Sequence, residues 1–424
     1  MHSFKKHYLL SEGGVYGHMN YVYERLDFTF IELKDFFHNL ITGRVDRVTE
    51  KVDGQNIFFT WNNIAQEPRF ARNVGQIKKG GITLKALREQ FAGRSTVEKI
   101  FADGGTQIYS ALQRLSSEKR REIFGNRGDL WVNAEIMHTI APNVILYKGN
   151  HIVLHGMYAF DNDGTKHSLP NETFLQLTQE LRAEVSNWRI LGPIVHKITN
   201  FEGLKGPYDK FTSAIDDLIS KAGLDNHSTI GDFIEKKVYE ELIQAGMPDD
   251  AAGTASKVVV GKENVNLNDF KKYVGPTLKP LVSKYLTQTE IRKTHARITE
   301  PIQRAVTDLS IVVLKDLTSI LVLDSKKEAQ RITKRVSDLI GKIHQYQDEY
   351  TQNRKDFLAR EIAKHSNSID TLLQNFQSPI EGLVVEYPPG SGNLLKITGA
   401  FGTINQILGL GQYGRGDIPP LESR

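Results

Sequence analysis

The sequence predicts an α+β protein in which two β-rich stretches flank a long, mainly helical one. Runs dense in β-branched and aromatic residues, bounded by Gly, Asn or Asp, cluster before about residue 168 and return after residue 378. Between them, apolar residues recur at helical spacing behind capping signals. No internal repeat is present. The expected organisation is 1–168 β-rich, 169–377 helical and 378–424 β-rich.

In the first stretch the strand candidates are 48–61, 129–137 and 151–161. Asp53-Gly54 falls inside the first of these and predicts a two-residue hairpin turn, since both central positions of such a turn want positive φ. Lys51 would then sit at a strand end. In the helical stretch, 229–243 reads as an amphipathic helix ended by Gly246 and Pro248. Residues 302–322 are apolar almost all round, as in a helix buried within a bundle. Ser325-Lys326-Lys327-Glu328 reads as a capping box, with Ile332, Val336, Leu339, Ile340 and Ile343 following at helical spacing. In the last stretch, 380–387 and 394–398 form a hairpin across a Pro-Pro-Gly-Ser-Gly turn. A lone hairpin is marginal in water and must join a larger sheet. That favours one β-rich domain interrupted by a helical insertion over three separate units.

The chain has 424 residues, of which 39% are hydrophobic, an ordinary globular composition. No apolar run is long enough to cross a membrane, and the opening Met1-His2-Ser3-Phe4-Lys5-Lys6 lacks the apolar core of a signal peptide. A cytoplasmic protein without a membrane partner is therefore expected. With no cysteine, disulfides, thiolate zinc sites and thiol nucleophiles are excluded. The formal charge is only +4, but residues 69–99, which include Arg72, Lys78 and Lys79, carry a local +6. Residues 271–304, which include Lys271, Lys272, Arg292 and Lys293, carry another +6. Such zones suit a phosphate-rich partner, because Lys and Arg displace counterions from nucleic acid. Solvated helix faces would give the same composition.

Five segments carry candidate chemistry. Glu50-Lys51-Val52-Asp53-Gly54 presents a lysine beside an Asp-Gly pair. A lysine nucleophile must be neutral, which from a reference pKa near 10.4 takes roughly 4.6 kcal/mol at pH 7. Neighbouring cations (Arg72 and Lys396 are the candidates) and a bound metal would lower that cost. Glu135 is a carboxylate embedded in an apolar strand and suits a ribose hydroxyl. Phe160 could stack on a base. Glu381 opens an apolar strand beside Gly382 and suits the side of a Mg²⁺ ion. Lys396 is a cation in the partner arm of that hairpin. Each also has a plain structural explanation: exposed strand alternation, a core aromatic, or a charge guarding a sheet edge.

In this order the segments resemble the covalent nucleotidyltransferase superfamily of ATP-dependent DNA and RNA ligases and mRNA capping enzymes. The resemblance covers the two β-rich parts, about half of the chain. It implies a ligase-type adenylyltransferase domain of antiparallel sheets and helices, with ATP and Mg²⁺ as cofactors and Lys51 carrying AMP. It implies catalytic roles for Lys51, Asp53 and Lys396, and ATP contacts from Glu50, Arg72, Glu135, Phe160, Glu381 and Lys396. Arg72 would lie near the phosphates of the end being joined, and Glu381 would serve the metal.

Three departures bear on the substrate. The last motif ends Lys396-Ile397-Thr398 where a second lysine is usual. The helical stretch replaces a short connection. Only 26 residues follow Thr398, too few for an OB-fold domain. RNA ligases lack that domain, so RNA is the expected substrate and nicked DNA or another acceptor the alternative. An inactive nucleic-acid-binding scaffold is the alternative of another class. Arg72, Lys78, Lys79, Lys271, Lys272, Arg292 and Lys293 are the candidate nucleic-acid contacts. The segment 11–19 and the layout resemble proteins of large tailed phages, which would place the protein in the host cytoplasm.

Overall fold

The computed structural model describes residues 19–345, 380–402, 404 and 408, apart from 46–47, 95, 141–143, 163, 169–170, 186, 197, 199–200, 316, 318–320, 323–324, 390 and 392. The glycines of the tail (Gly409, Gly411, Gly414 and Gly416) and most of segment 11–19 lie outside the described residues.

The chain opens with a short 3-10 turn, Val22–Glu24, and helix α1 (Phe30–Ile41). Thr29 caps α1 in a reciprocal box with Glu32. Phe30, Leu33, Phe36, Phe37, Leu40 and Ile41 recur at helical spacing and are all buried. Strand β1 (Val48–Lys51) follows, and the chain passes through Val52-Asp53-Gly54 into β2 (Gln55–Asn62) and β3 (Glu67–Ala71). Helices α2 (Val74–Lys78), α3 (Leu84–Phe91), α4 (Thr96–Arg114) and α5 (Ser117–Phe124) lead to β4 (Leu130–Met137), β5 (Asn150–Phe160) and β6 (Lys166–Ser168). Helix α6 (Asn171–Leu181) precedes β7 (Ala183–Val185) and β8 (Trp188–Leu191).

The larger sheet is seven-stranded, ordered β3-β2-β4-β5-β8-β7, with β6 paired to β5. All its pairs are antiparallel except β5 with β8. Its two faces follow from period-two alternation. Ile57, Phe59 and Trp61 of β2 and Val132, Ala134 and Ile136 of β4 share one core with Phe91, Phe101, Leu112 and Phe124 from α3, α4 and α5. The opposite face carries Phe58, Trp131, Glu135, Met137 and Tyr158.

The boundary expected at 169 lies later. Residues 183–185 and 188–191, assigned from sequence to the helical stretch, pair with one another, and 188–191 also pair with β5. Short β-branched segments without a turn signature are hard to separate from helical surroundings.

From Phe201 the chain is helical: α7 (Phe201–Lys221), α8 (Ile230–Gln244), α9 (Asp249–Val259), α10 (Leu267–Tyr273), α11 (Lys279–Leu286), α12 (Gln288–Ile298), α13 (Glu300–Lys315) and α14 (Ser325–Gln345). Thr229 caps α8 in a box with Asp232, as its sequence suggests, and Gly246 follows at φ +84°. Helix α13 buries Ile302, Val306, Leu309 and Val313, but it ends at Lys315 rather than running to 322. Helix α14 buries Ile332, Val336 and Leu339. Glu328, expected in a capping box, makes a tertiary contact. Ser325 lies within the helix, and Glu328 accepts the Leu146 amide at 2.7 Å and pairs with Arg331.

The last strands, β9 (Gly382–Glu386) and β10 (Leu394–Ile397), form the expected hairpin, with Val384 opposite Lys396. The hairpin joins β1 rather than the larger sheet, giving a three-stranded sheet ordered β1-β9-β10. Val48, Leu383, Val385, Leu395 and Ile397 of this sheet share a single apolar cluster with α1 and with Ile215, Phe233, Ile302 and Val313 of the helical block. The helices and the small sheet therefore stabilise each other. Each fully buried large apolar side chain in this cluster contributes roughly 1.5–3 kcal/mol.

Candidate active site

The crossing at Val52-Asp53-Gly54 replaces the hairpin expected there. β1 ends in the small sheet and β2 begins in the large one. Neither Asp53 nor Gly54 is among the described residues with positive φ. Gly54 is required for another reason: a Cβ there would lie 2.8 Å from the Ile136 carbonyl oxygen and 2.9 Å from the Glu135 and Met137 side chains. The crossing thus lies flat on β4, and the Gly54 amide donates to Glu135 Oε1 at 3.2 Å.

Lys51 pairs with Gly382 in the β1–β9 register. Its Nζ lies 2.5 Å from Glu381 Oε1. Gly382 lets β9 and β10 approach, since a Cβ would meet the Ile397 carbonyl oxygen at 2.0 Å. The Lys51 side chain is 22% exposed and that of Glu381 8%, so the pair is largely withdrawn from solvent, the carboxylate more than the lysine. The other oxygen of Glu381, Oε2, is buried with no hydrogen-bond partner.

The charge around Lys51 is the reverse of the sequence expectation. Burial alone would lower its pKa, but Glu381, Glu135 and Asp53 outweigh burial and hold the ammonium above its ordinary value. One cation faces several carboxylates, so burial and its anionic neighbours push Glu381 up to about 8, against the pull of Lys51. Burial also disfavours charge on Glu135, yet His155, Lys51 and the Gly54 amide together keep it below the usual carboxylate range. His155 Nε2 lies 3.2 Å from Glu135 Oε2.

Asp53 faces inward. Its Oδ2 accepts the amides of Val144 and Ile145 at 2.6 and 2.9 Å, and its own amide donates to the Tyr147 hydroxyl at 2.8 Å. Burial raises its pKa against those amide bonds. Arg331 bonds the Val144 carbonyl at 2.6 Å, so α14 braces the same loop. Glu50 is also engaged away from Lys51: it pairs with His196 Nε2 at 2.9 Å, both side chains being buried.

Lys396 approaches from β10. Burial pulls its pKa down to about 8, with Glu24 opposing and the Lys51 charge adding. Its Nζ sits 4.0 Å from the centre of the Tyr21 ring. Thr398 donates its hydroxyl to the Tyr21 phenol oxygen at 3.2 Å.

Two expected members take other partners, although Arg72 stays close enough to Glu135 to feel its charge. The Arg72 guanidinium stacks 4.5 Å from the Phe101 ring of α4 and donates to the Asn56 carbonyl. Burial lowers it to about 10, with Glu135 opposing. Phe160 lies seven residues beyond Val153, the partner of Glu135, hence about 20 Å further along β5. There its ring meets Phe58 edge-on at 6.0 Å.

The basic zones are partly self-neutralised. Lys272 pairs with Asp269, Lys293 with Glu290, Arg297 with Glu241 and Arg304 with Glu300. Lys78, Lys79 and Arg292 are exposed, and Lys271 is half-buried.

Tyr21, Tyr147, His155 and His196 were not legible as site residues. His155 had a signal: it follows Val153 by two on the strand beside Glu135. The others come from loops and termini without motif context.

Among the described residues no cluster of three or more His, Cys, Asp or Glu side chains could hold a metal by itself, and no helix is long and apolar enough to cross a membrane. Comparison with known protein families, curated proteins and solved structures gives no match to this chain.

Proposed function

We propose that this protein is an ATP-dependent polynucleotide ligase, preferring RNA ends, that works through a nucleotidylated Lys51. The observation that carries the reading is the 2.5 Å contact between Lys51 Nζ and Glu381 Oε1. A partly exposed lysine and a buried glutamate from opposite ends of the chain meet beside a second lysine and a buried carboxylate. A purely structural ion pair would need none of that company.

Where Glu381 is ionised, at and above about pH 8, it takes a proton from Lys51, and the free amine attacks the α-phosphorus of ATP. A P–N bond forms while the bond to the bridging oxygen breaks, and pyrophosphate leaves with the electron pair. An oxygen of a 5′-phosphate end then displaces Lys51, which regains its proton. A 3′-hydroxyl attacks that phosphate, loses its proton, and AMP departs.

In this reading Glu135 accepts a ribose hydroxyl and Lys396 faces phosphate charge. Asp53 holds the loop that carries Val144 and Ile145. The stacking role expected of Phe160 is not carried forward, given its position, and neither is an end-binding role for the Arg72 guanidinium. A Mg²⁺ ion would use the unpartnered oxygen of Glu381 together with phosphate oxygens and water, a pattern usual for this ion, and would neutralise charge on the phosphates. The exposed cations Lys78, Lys79 and Arg292 suit backbone contacts that do not read sequence.

The test is incubation with α-labelled ATP and Mg²⁺ followed by denaturing electrophoresis. Label should remain on the wild-type chain and be absent from Lys51→Ala. A chain that never takes label, yet binds RNA with steep salt dependence, would be the binding scaffold instead. A panel of nicked RNA, nicked DNA and single-stranded ends tests the acceptor, and DNA joining as fast as RNA joining would overturn the RNA preference.

A further inference from the structure

The N-terminal segment completes the small sheet. Residues 20–21 run beside β10: the Lys396 amide donates to the Asn20 carbonyl at 3.1 Å, and Tyr21 forms a parallel bridge with Lys396. This places the Tyr21 ring under the Lys396 ammonium, 4.0 Å from the ring centre. The ring is fixed from two further sides. It stacks on Tyr23 at 4.9 Å with a 7° interplanar angle, and its oxygen receives the Thr398 hydroxyl at 3.2 Å. Gly402 leaves room for this arrangement, because a Cβ there would lie 3.1 Å from the Tyr21 oxygen.

We propose that Tyr21 is a positioning residue for Lys396: its ring face holds the ammonium on the nucleotide side of the site, with Tyr23 stacked against the ring. An aromatic face thus supports the one cation of the last motif where a second lysine would otherwise stand. The inference rests on the reading of Lys51 as the nucleotidylated residue, because only then does Lys396 face phosphate. A charged amine over an aromatic face is favoured most where water is excluded, and Lys396 is largely buried. The other charges at this amine are Glu24, whose carboxylate caps the Tyr21 amide at 2.8 Å, and the Lys51–Glu381 pair. Glu24 is itself raised by burial, so its support for the cation weakens where the ring remains.

The test replaces Tyr21 by Phe, by phenylalanines carrying one to three ring fluorines, and by Leu. Fluorine withdraws charge from the ring face while scarcely changing its shape, which keeps the series informative if Tyr21→Leu does not fold. Tyr21→Phe should form the Lys51 adduct within about threefold of wild type, the trifluoro ring about tenfold more slowly, and Tyr21→Leu at least as slowly as that. A flat fluorine series, or Tyr21→Phe as slow as Tyr21→Leu, overturns the proposal. A second readout needs no turnover. Dimethylated lysines are titrated by carbon NMR, with the Lys396 signal identified through Lys396→Arg. Removing the ring disfavours the charged form, so Lys396 should titrate at lower pH in Tyr21→Leu and in the trifluoro variant, and an unchanged titration sinks the idea. If the wild-type chain forms no adduct at all, the ligase reading fails, while the titration still decides whether the ring holds the lysine.

Discussion

The two sheets are built on opposite principles. The seven-stranded sheet uses chain that is nearly continuous, from β2 to β8, and buries one whole face against α3 to α6. The three-stranded sheet joins β1 to strands from the far end of the chain and holds Lys51, Glu381 and Lys396 within a few residues of one another in register. The large sheet supplies Glu135 on the face opposite α3 to α6. What differs is where each spends its specificity, in apolar packing for one and in close backbone approach for the other. A scaffold that is locally encoded can keep its shape while the long-range sheet places charges that would be costly to bury alone.

The comparison can be broken most forcefully from the large sheet. Phe59 is 1% exposed in the core under α3 to α5. Phe59→Ala should cost about 4 kcal/mol in denaturant unfolding while the folded fraction still labels Lys51. Loss of labelling from fully folded protein would mean that the sheets are not separable in this way.

The reciprocal change is Gly382→Ala, which sets a methyl group against the Ile397 carbonyl. About 3 kcal/mol of destabilisation is expected, together with loss of the lysine adduct even where far-ultraviolet dichroism stays native. Retained labelling would show that the β9–β10 approach is not what aligns Glu381 with Lys51.

A finer distinction comes from pH. Glu381 is raised from 4.5 to about 8, with burial as the largest cause. Between those values the folded chain keeps a proton that the unfolded chain has released, so stability falls as pH rises across that window. Glu381→Gln should flatten that slope and also slow adduct formation. A slope identical to wild type would place the titration elsewhere in the molecule.

Much of the architecture was legible from local pattern. The capped helix α8, the β9–β10 hairpin and the strands bearing Glu135 and Lys396 each follow from periodicity, capping or turn chemistry that neighbouring residues decide among themselves. The need for that hairpin to find a larger sheet was also legible, though not the partner it would choose. Less visible were the short strands β7 and β8, whose identity depends on an open edge of β5.

The sequence by itself determined which residue types are available for chemistry, and the order in which the chain meets them. Only the tertiary structure decided which of them meet. It brought Lys51 to Glu381 and Glu135, added Tyr21 and His155, turned Arg72 toward α4 and left Phe160 at the far end of β5. It also decided the sign of the field at Lys51, surrounding the amine with carboxylates where neighbouring cations were expected. The reason is physical: strand propensity and capping act over a few residues, whereas desolvation and Coulomb coupling depend on which distant segments pack together.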